Sequence, residues 1–195
     1  TGFSLGLNRS FLDYWAVGGT YRLEYATIED ITKTAPTFIK EQGGTTITSS
    51  ISPSLVRDSR DNYLDPSSGS RNVVSMTYAG LGGDNRFFKM LLDSSWFKPV
   101  RGTAFSVRGR YGYATGVSGE ELPLYERYYV GGIYTVRGFA FGEVGPPGRI
   151  GGTEELIVNF EYLFPLVEEV KLKGVAFYDL GSAFEGGVDF DELRQ

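Results

Sequence analysis

The 195-residue chain contains no cysteine and no histidine. Without cysteine it has no disulfide, no thiolate metal site and no cysteine nucleophile. Without histidine it lacks the usual general base near neutral pH and the commonest metal ligand. Histidine-dependent hydrolysis is therefore excluded, and no spacing indicates a carboxylate pair beside a substrate groove. We predict that the chain is not an enzyme and that it binds no metal and no cofactor.

Several other features are scarce. No apolar run approaches the roughly 18 residues that a membrane-spanning helix needs. Residues 1–11 do not show a basic segment followed by an apolar one, so no signal peptide is visible. The net charge is −5 and no basic stripe stands out, so we expect no nucleic-acid partner. A mean hydropathy of −0.17 is compatible with a membrane location, because a transmembrane strand needs only every second residue to be apolar.

The abundant residues are glycine, at 27 positions, and aromatics, at 15%. Apolar and polar side chains alternate with a period of two, which is typical of β-strands. This pattern predicts one all-β domain over residues 1–195, an antiparallel meander without helices. Nine strands are predicted, at about 2–11, 14–28, 45–57, 71–80, 86–98, 102–114, 126–133, 154–164 and 170–181. The longest connection is then the Gly- and Pro-rich segment 134–153.

Two all-β architectures fit this alternation. A soluble sandwich buries its apolar faces against each other. A membrane barrel turns them toward lipid and keeps a polar lumen. The strands are near the 9–11 residues of a tilted membrane span, and the polar faces carry full charges of both signs. Tyrosine and tryptophan near strand ends suggest interfacial girdles. These features favour the membrane barrel.

The segment Tyr128-Tyr-Val-Gly-Gly-Ile-Tyr-Thr-Val-Arg-Gly-Phe139 resembles a motif of the bacterial surface antigen family, which includes BamA-type outer-membrane protein assembly factors. In that family the tetrad, here Val136, Arg137, Gly138 and Phe139, lies at the tip of a long extracellular loop that folds into the lumen. Gly131 and Gly132 would open that loop. The resemblance implies an outer-membrane barrel.

Further segments resemble the family in the expected order, which makes the set more specific than the tetrad alone. They are Arg57–Arg71, Gly145–Gly148, Gly151–Thr153 and the Phe-x-Asp-x-Gly stretch Phe177–Gly181. Together they cover about residues 55–181. We expect a partial transmembrane barrel, about nine strands of a larger and probably 16-stranded one. The periplasmic POTRA repeats and the first and last barrel strands are expected to lie outside this chain.

Arg137 is the foremost candidate site residue. A guanidinium in a partly dehydrated lumen needs a carboxylate partner, because leaving it unpaired is costly. Strand parity places Asp179 and Glu161 on polar faces, so both are candidate anchors of the loop. The resemblance pairs the arginine with Asp179. Gly138 would permit a tight turn, and Phe139 would pack against the barrel wall.

A second polar cluster lies in the stretch that follows the third predicted strand. Asp-Pro followed by glycine is a strong turn signal. We interpret the cluster as a salt-bridged structural turn, formed by Asp58, Arg60, Asp61, Asp65, Pro66 and Gly69.

The resemblance implies a factor that folds and inserts β-barrel proteins into the bacterial outer membrane. Its implied partners are membrane lipids and lipopolysaccharide, unfolded outer-membrane client proteins, and accessory lipoproteins that act through the periplasmic repeats. A TamA-like or two-partner-secretion transporter is the alternative, and a passive porin is a third reading that leaves the ordered motifs unexplained. Cut from a larger barrel, the strands would leave two unpaired edges, so we expect either an open curved sheet or edge-to-edge association between copies.

Overall fold

The structure, a computed structural model, describes residues 1–29, 39–40, 42–167, 169–170 and 172–193. Within them the chain forms one antiparallel sheet in which every strand pairs with the next along the chain. Its eight strands are β1 (Gly2–Leu12), β2 (Trp15–Ile28), β3 (Gly44–Asp58), β4 (Gly69–Gly83), β5 (Phe87–Val100), β6 (Thr103–Gly116), β7 (Glu154–Val167) and β8 (Leu172–Phe184). The predicted all-β antiparallel meander is confirmed, and β1 and β8 are the edges of this sheet.

One of the nine predicted strands is wrong. Segment 126–133 is not a strand; it makes only isolated bridges, from Tyr128 to Gly152 and from Val130 to Val144. The backbone explains the error, because Gly131 and Gly132 have φ angles of +124° and +98°, which an extended strand does not adopt. The long connection therefore spans 117–153 instead of 134–153. We call it the inner loop.

The last predicted strand, 170–181, corresponds to β8, which continues to Phe184. Residue 171 lies outside the described residues. Two short 3₁₀ helices, Leu124–Glu126 and Phe190–Glu192, lie in the connections and not in the sheet. Within the described ranges, no helix is both long and apolar enough to span a membrane.

The strand register sorts side chains onto two faces, because successive residues of a strand point to opposite sides. Asn159 lies opposite Asp179 on β8 and opposite Arg108 on β6, so these polar residues share one face, which we call the inner face. The opposite, outer face is apolar. Its members include Leu5, Val17, Tyr21, Tyr25, Ile51, Leu55, Met76, Tyr78, Leu92, Trp96, Phe105 and Tyr162, all of them exposed.

This exposure decides between the two architectures. Trp96 is 59% exposed and Leu5 is 59% exposed, and among the described residues no second sheet covers the outer face. A soluble protein rarely leaves so large an apolar surface uncovered. An apolar face of long tilted strands is what a membrane barrel presents to acyl chains. The sheet is therefore part of a barrel wall and not half of a sandwich.

The inner face is concave. Lys173, at the start of β8, lies 2.6 Å from the carboxylate of Asp65 in the turn between β3 and β4. In a flat sheet, β4 and β8 would be about 19 Å apart, at roughly 4.8 Å per strand. The sheet and this turn must therefore curve toward each other for the contact to form.

The inner loop lies on this concave face. Val130, Val136 and Val144 of the loop form a buried cluster with Ile157 of β7 and Ala183 of β8. A second cluster joins a loop leucine to inner-face residues of three strands, and consists of Ala79, Phe87, Ala114 and Leu122. The core of the described structure is thus the contact between the inner loop and the wall.

Candidate functional site at the tip of the inner loop

The tip of the inner loop is a tight turn between Gly131 and Val136. The Gly131 amide donates to the hydroxyl of Thr135 at 2.8 Å. The Thr135 amide donates to the Gly132 carbonyl at 3.1 Å, and the Gly132 amide donates to the Val136 carbonyl at 3.2 Å. A Cβ atom on Gly131 would lie 2.1 Å from the carbonyl oxygen of Ala140, so only glycine fits there.

Val136 fixes the tip against the wall by packing. Its side chain is fully buried in the cluster with Ile157 and Ala183. Gly181 of β8 makes room for it, since a Cβ on this glycine would lie 3.0 Å from Cγ2 of Val136. The last residue of the Phe-x-Asp-x-Gly stretch is therefore small where the loop approaches the strand. Phe139 packs against the same cluster from its edge.

Arg137 grips Asp179 of β8 with three donors. Its Nε lies 2.6 Å from Oδ2, its Nη2 lies 2.7 Å from Oδ1, and its backbone amide donates to Oδ2 at 3.0 Å. The first two bonds form the bidentate geometry that suits a guanidinium and a carboxylate. Asp179 is only 5% exposed, so the ionised carboxylate is stable there because these donors replace its water.

The remaining guanidinium nitrogen of Arg137 contacts Glu161 of β7. Nη1 lies 2.7 Å from Oε1 of Glu161, whose side chain is 32% exposed. The guanidinium carbon also lies 3.8 Å from the ring centroid of Phe177, a cation–π distance. The hydrogen bonds that the Arg137 guanidinium donates, first to Asp179 and then to Glu161, raise its pKa above the ordinary value and outweigh the opposite effect of burial. The guanidinium therefore stays charged and can bind both carboxylates at once.

Asn159 completes the site. Its amide group donates to Oδ1 of Asp179 at 2.8 Å and to the carbonyl of Thr135 at 2.7 Å. One side chain therefore connects the anchoring carboxylate to the backbone of the turn. The structure brings together Arg137 and both of its predicted partners in one network of charge-assisted hydrogen bonds.

Sequence reasoning did not assign Asn159, Thr135 or Phe177 to this site. Asn159 shares a face with Glu161, and Phe177 shares one with Asp179. Alternation along each strand therefore placed both residues on the same side as the predicted anchors. Their roles depend on the register that sets Asn159 opposite Asp179, which the sequence does not give. Thr135 had no signal beyond its place in the turn.

Gly138, the third residue of the tetrad, has a φ of +92°, so its backbone has the conformation that favours glycine. A Cβ atom there would meet open space, so the requirement is conformational and not steric.

The second predicted cluster lies in the turn between β3 and β4. Arg60 forms a bidentate pair with Asp58, at 2.8 and 2.7 Å. Asp61 accepts the amides of Ser67 and Ser68 at 2.9 and 3.0 Å, so its partners are all local. Pro66 lies in this turn, and Asp65 reaches Lys173 of β8.

Gly69 ends this turn with a φ of +95°. A Cβ atom there would lie 2.2 Å from the carbonyl oxygen of Ser59, so the position requires glycine. No bound group is suggested by the geometry of the turn. Within the described residues, no group of three or more carboxylates is arranged to hold a metal ion.

A curved antiparallel wall, with an apolar outer face and a loop held by ion pairs on its inner face, defines the chain as part of a transmembrane β-barrel with a folded-in loop. A profile of the Omp85 superfamily domain matches residues 1–194. The chain belongs to the Omp85 superfamily.

Individual relatives agree with this assignment. The outer membrane protein assembly factor BamA of Nitratidesulfovibrio vulgaris is 29% identical over 194 residues, which cover 94% of this chain and 24% of that protein. A SAM50-like protein of Schizosaccharomyces pombe is 28% identical over 158 residues, 74% of this chain and 32% of that protein.

The fold is also similar to that of a solved relative. The crystal structure of BamA from Haemophilus ducreyi lacking POTRA domains 1–3 aligns with a TM-score of 0.79 at 18% identity, over 94% of this chain and 41% of that one. The present chain spans only 24% of the BamA of Nitratidesulfovibrio vulgaris and 23% of the BamA of Neorickettsia risticii.

Proposed function

We propose that this chain forms the rigid wall and the inner loop of a BamA-like outer-membrane protein assembly factor, which folds and inserts β-barrel proteins. Membership of the Omp85 superfamily supports an assembly function at the level of the family. The observation that carries the proposal is the tip of the inner loop, where Arg137 is held by Asp179 and Glu161.

In this proposal, client proteins arrive unfolded from the periplasm and pair their strands at a weak seam of the barrel. In this proposal the seam lies between the first and last strands of the whole barrel, and the eight strands described here form another part of the wall. Opening one seam without losing the barrel requires that the rest of the wall stay rigid. The seated loop supplies that rigidity, because Val136, Arg137 and Phe139 join it to β7 and β8.

The expected surroundings follow from the same proposal. The outer face would contact outer-membrane lipids and lipopolysaccharide, and accessory lipoproteins would act through periplasmic repeats beyond this chain. No nucleic acid and no cofactor are proposed. Expressed by itself, the chain would expose the edges β1 and β8, and we expect copies to associate through them.

Complementation tests the role of the tip. In cells depleted of the native full-length protein, Arg137→Ala and Asp179→Asn should each reduce the amount of folded outer-membrane proteins. Arg149→Gln is the matched control, because Arg149 lies on the same loop, is 60% exposed and pairs only loosely with Glu143 at 3.8 Å. Normal client assembly in both tip variants, with normal protein levels, would refute the proposal.

A related function is the second candidate, a Sam50-like or TamA-like insertase, or a two-partner-secretion transporter with fewer clients. The specific observation is that SAM50 relatives match at 28–29% identity, the same level as the BamA relatives. Profiling all outer-membrane proteins after depletion would distinguish them, because a general factor lowers many clients and a specialised one lowers few. A location in the bacterial outer membrane is part of the first proposal, and the mitochondrial outer membrane belongs to the Sam50-like alternative.

Planar-bilayer conductance distinguishes both candidates from a passive porin. The seated loop should keep the wild-type conductance low, and Arg137→Ala should increase it. A large, steady conductance that the substitution leaves unchanged would instead favour an open pore.

A further inference from the structure

A second ionic contact holds the inner loop far from its tip, at the residue Glu126. The side chain of Glu126 is only 7% exposed. Its Oε1 lies 2.5 Å from Nη2 of Arg22 on β2, and its Oε2 lies 2.9 Å from Nζ of Lys89 on β5. The same ammonium group donates to the backbone carbonyl of Glu126 at 2.6 Å. Each carboxylate oxygen thus binds a cation from a different strand.

The two strands are not neighbours. Between β2 and β5 lie β3 and β4, a separation of about 14 Å along a flat sheet at roughly 4.8 Å per strand. Glu126 contacts both strands from the concave inner face. One side chain therefore links two strands that are not hydrogen-bonded to each other. The curvature of the wall from β2 to β5 therefore depends on the position of the loop residue Glu126.

Neighbouring groups support the seat of Glu126. Lys89 lies 5.0 Å from the ring centroid of Tyr128, whose hydroxyl donates to the Met90 carbonyl at 3.0 Å. The Tyr128 ring covers Gly112 of β6, where a Cβ atom would lie 2.6 Å from Cζ. The backbone around Glu126 is thus pressed against the wall by packing as well as by charge.

We propose that Glu126 is a positioning residue, a second and independent anchor of the inner loop that clamps β2 to β5. The tip site uses β7 and β8, whereas the Glu126 clamp uses β2 and β5, and the two share no residue. These are two separate sites on the wall, and each can open while the other stays closed. The neighbouring pair of Arg127 with Glu185, at 2.9 Å, contacts the segment after β8 and belongs to neither site. This inference concerns the shape of the wall and stands without the proposed assembly function.

The charges around Glu126 predict which substitution should disturb the strands most. Removing the carboxylate leaves Arg22 with only Glu24, at 3.3 Å, and Lys89 with only the backbone carbonyl of residue 126, at 2.6 Å. The two cations lose the counter-ion that they share, so the strands should move apart. Removing one cation leaves a normal ion pair. Glu126→Gln should therefore have the larger effect, and adding Arg22→Met to it should reverse part of that effect, a non-additivity that simple loss of packing would not produce.

Distance measurements in the full-length protein in lipid bilayers test the clamp. This stretch has no cysteine, so Tyr25→Cys and Leu92→Cys, both on the outer face, allow spin labels on β2 and β5. Glu126→Gln should lengthen and broaden the distance distribution between the labels. Glu120→Gln is the matched control, since Glu120 is on the same loop and pairs with the exposed Arg86, and it should change nothing.

Limited trypsin digestion reports the two anchors separately. Glu126→Gln should accelerate cleavage after Arg127 several-fold and leave cleavage after Arg137 at the wild-type rate. Should Glu126→Gln fail to fold, Arg22→Met provides the same readouts with a smaller expected shift. An unchanged distance between the labels, or cleavage that rises equally at both sites, would overturn the proposal. Neither readout involves client assembly, so its failure would leave the proposed function standing.

Discussion

The tip of the inner loop and the turn between β3 and β4 are both held by ion pairs and hydrogen bonds, but their partners lie at very different separations along the chain. In the turn, Arg60 binds Asp58 two positions away and Asp61 binds Ser67 six positions away. At the tip, Arg137 binds Asp179, 42 positions away on another strand. The pairs of Asp58 and Asp61 lie within the turn, although its Asp65 also contacts Lys173 of β8. The tip requires β7 and β8 side by side, because Asn159 and Asp179 lie opposite each other on these strands. The tip therefore reports on the assembled wall, whereas the Asp58 and Asp61 pairs of the turn do not.

The largest expected effect is at the tip. Asp179→Asn keeps the shape but removes the charge that Arg137 grips, which should destabilise the docked loop by roughly 2–4 kcal/mol. Hydrogen exchange of the Arg137 amide, which donates to Asp179, measures this opening in the full-length protein. Exchange in the β3–β4 turn should stay at the wild-type rate. Equal changes at both places would mean global destabilisation and would break the comparison.

A smaller effect is expected from the backbone of the turn. Gly69→Ala puts a Cβ into the Ser59 carbonyl at a φ of +95°, which should cost about 1–3 kcal/mol. Exchange should accelerate at Ser59 and Ser70, whose backbones are hydrogen-bonded to each other, while the tip stays protected. Gly102→Ala is a control with a similar φ and open space around its Cβ. Loss of protection at Arg137 in the Gly69 variant would show that the turn is not independent.

Glu161→Gln sharpens the comparison within the tip itself. Glu161 is more exposed than Asp179 and provides only one contact to Arg137, so its loss should cost about 0.5–1 kcal/mol. The same amide-exchange measurement should rank it well below Asp179→Asn. A larger effect from Glu161 than from Asp179 would contradict the assignment of the main anchor.

The smallest effect is expected for Asp61, whose partners are local and solvent-accessible. Its hydrogen bonds, first that from the Ser67 hydroxyl and then those from the Ser68 and Ser67 amides, hold the pKa of its carboxyl well below the ordinary value. The stabilisation of the turn is therefore complete above about pH 4 and is lost as the pH falls through the lowered pKa. Much of the effect of Asp61→Asn on the exchange of the Ser67 and Ser68 amides should therefore persist when the pH is lowered from 7 to about 3, where an ordinary Asp carboxyl is mostly protonated. Loss of the whole effect by about pH 3 would contradict the lowered pKa.

The alternation of apolar and polar residues was sufficient to predict the sheet, because the residues of each strand alone show which side chains share a face. Segment 126–133 was predicted wrongly because it alternates well enough, while Gly131 and Gly132 bend it out of any ladder. The pairing of Arg137 with Asp179 followed from a resemblance and from parity. The contributions of Asn159 and Phe177, and the contact between Asp65 and Lys173, depend on register and curvature. Those are properties of the assembled sheet and not of any single segment.

The hydrogen-bonded turn at the tip also sets a rule for how this loop can change in length. The Gly132 amide donates to the Val136 carbonyl. The backbone amide and the guanidinium of Arg137 both donate to the carboxylate of Asp179. Adding or removing a single residue between Gly132 and Arg137 would present a different side chain to Asp179 and turn the guanidinium away. Length variation among relatives should therefore accumulate in the outer stretches of the loop, while the four residues between Gly132 and Arg137 stay constant in number.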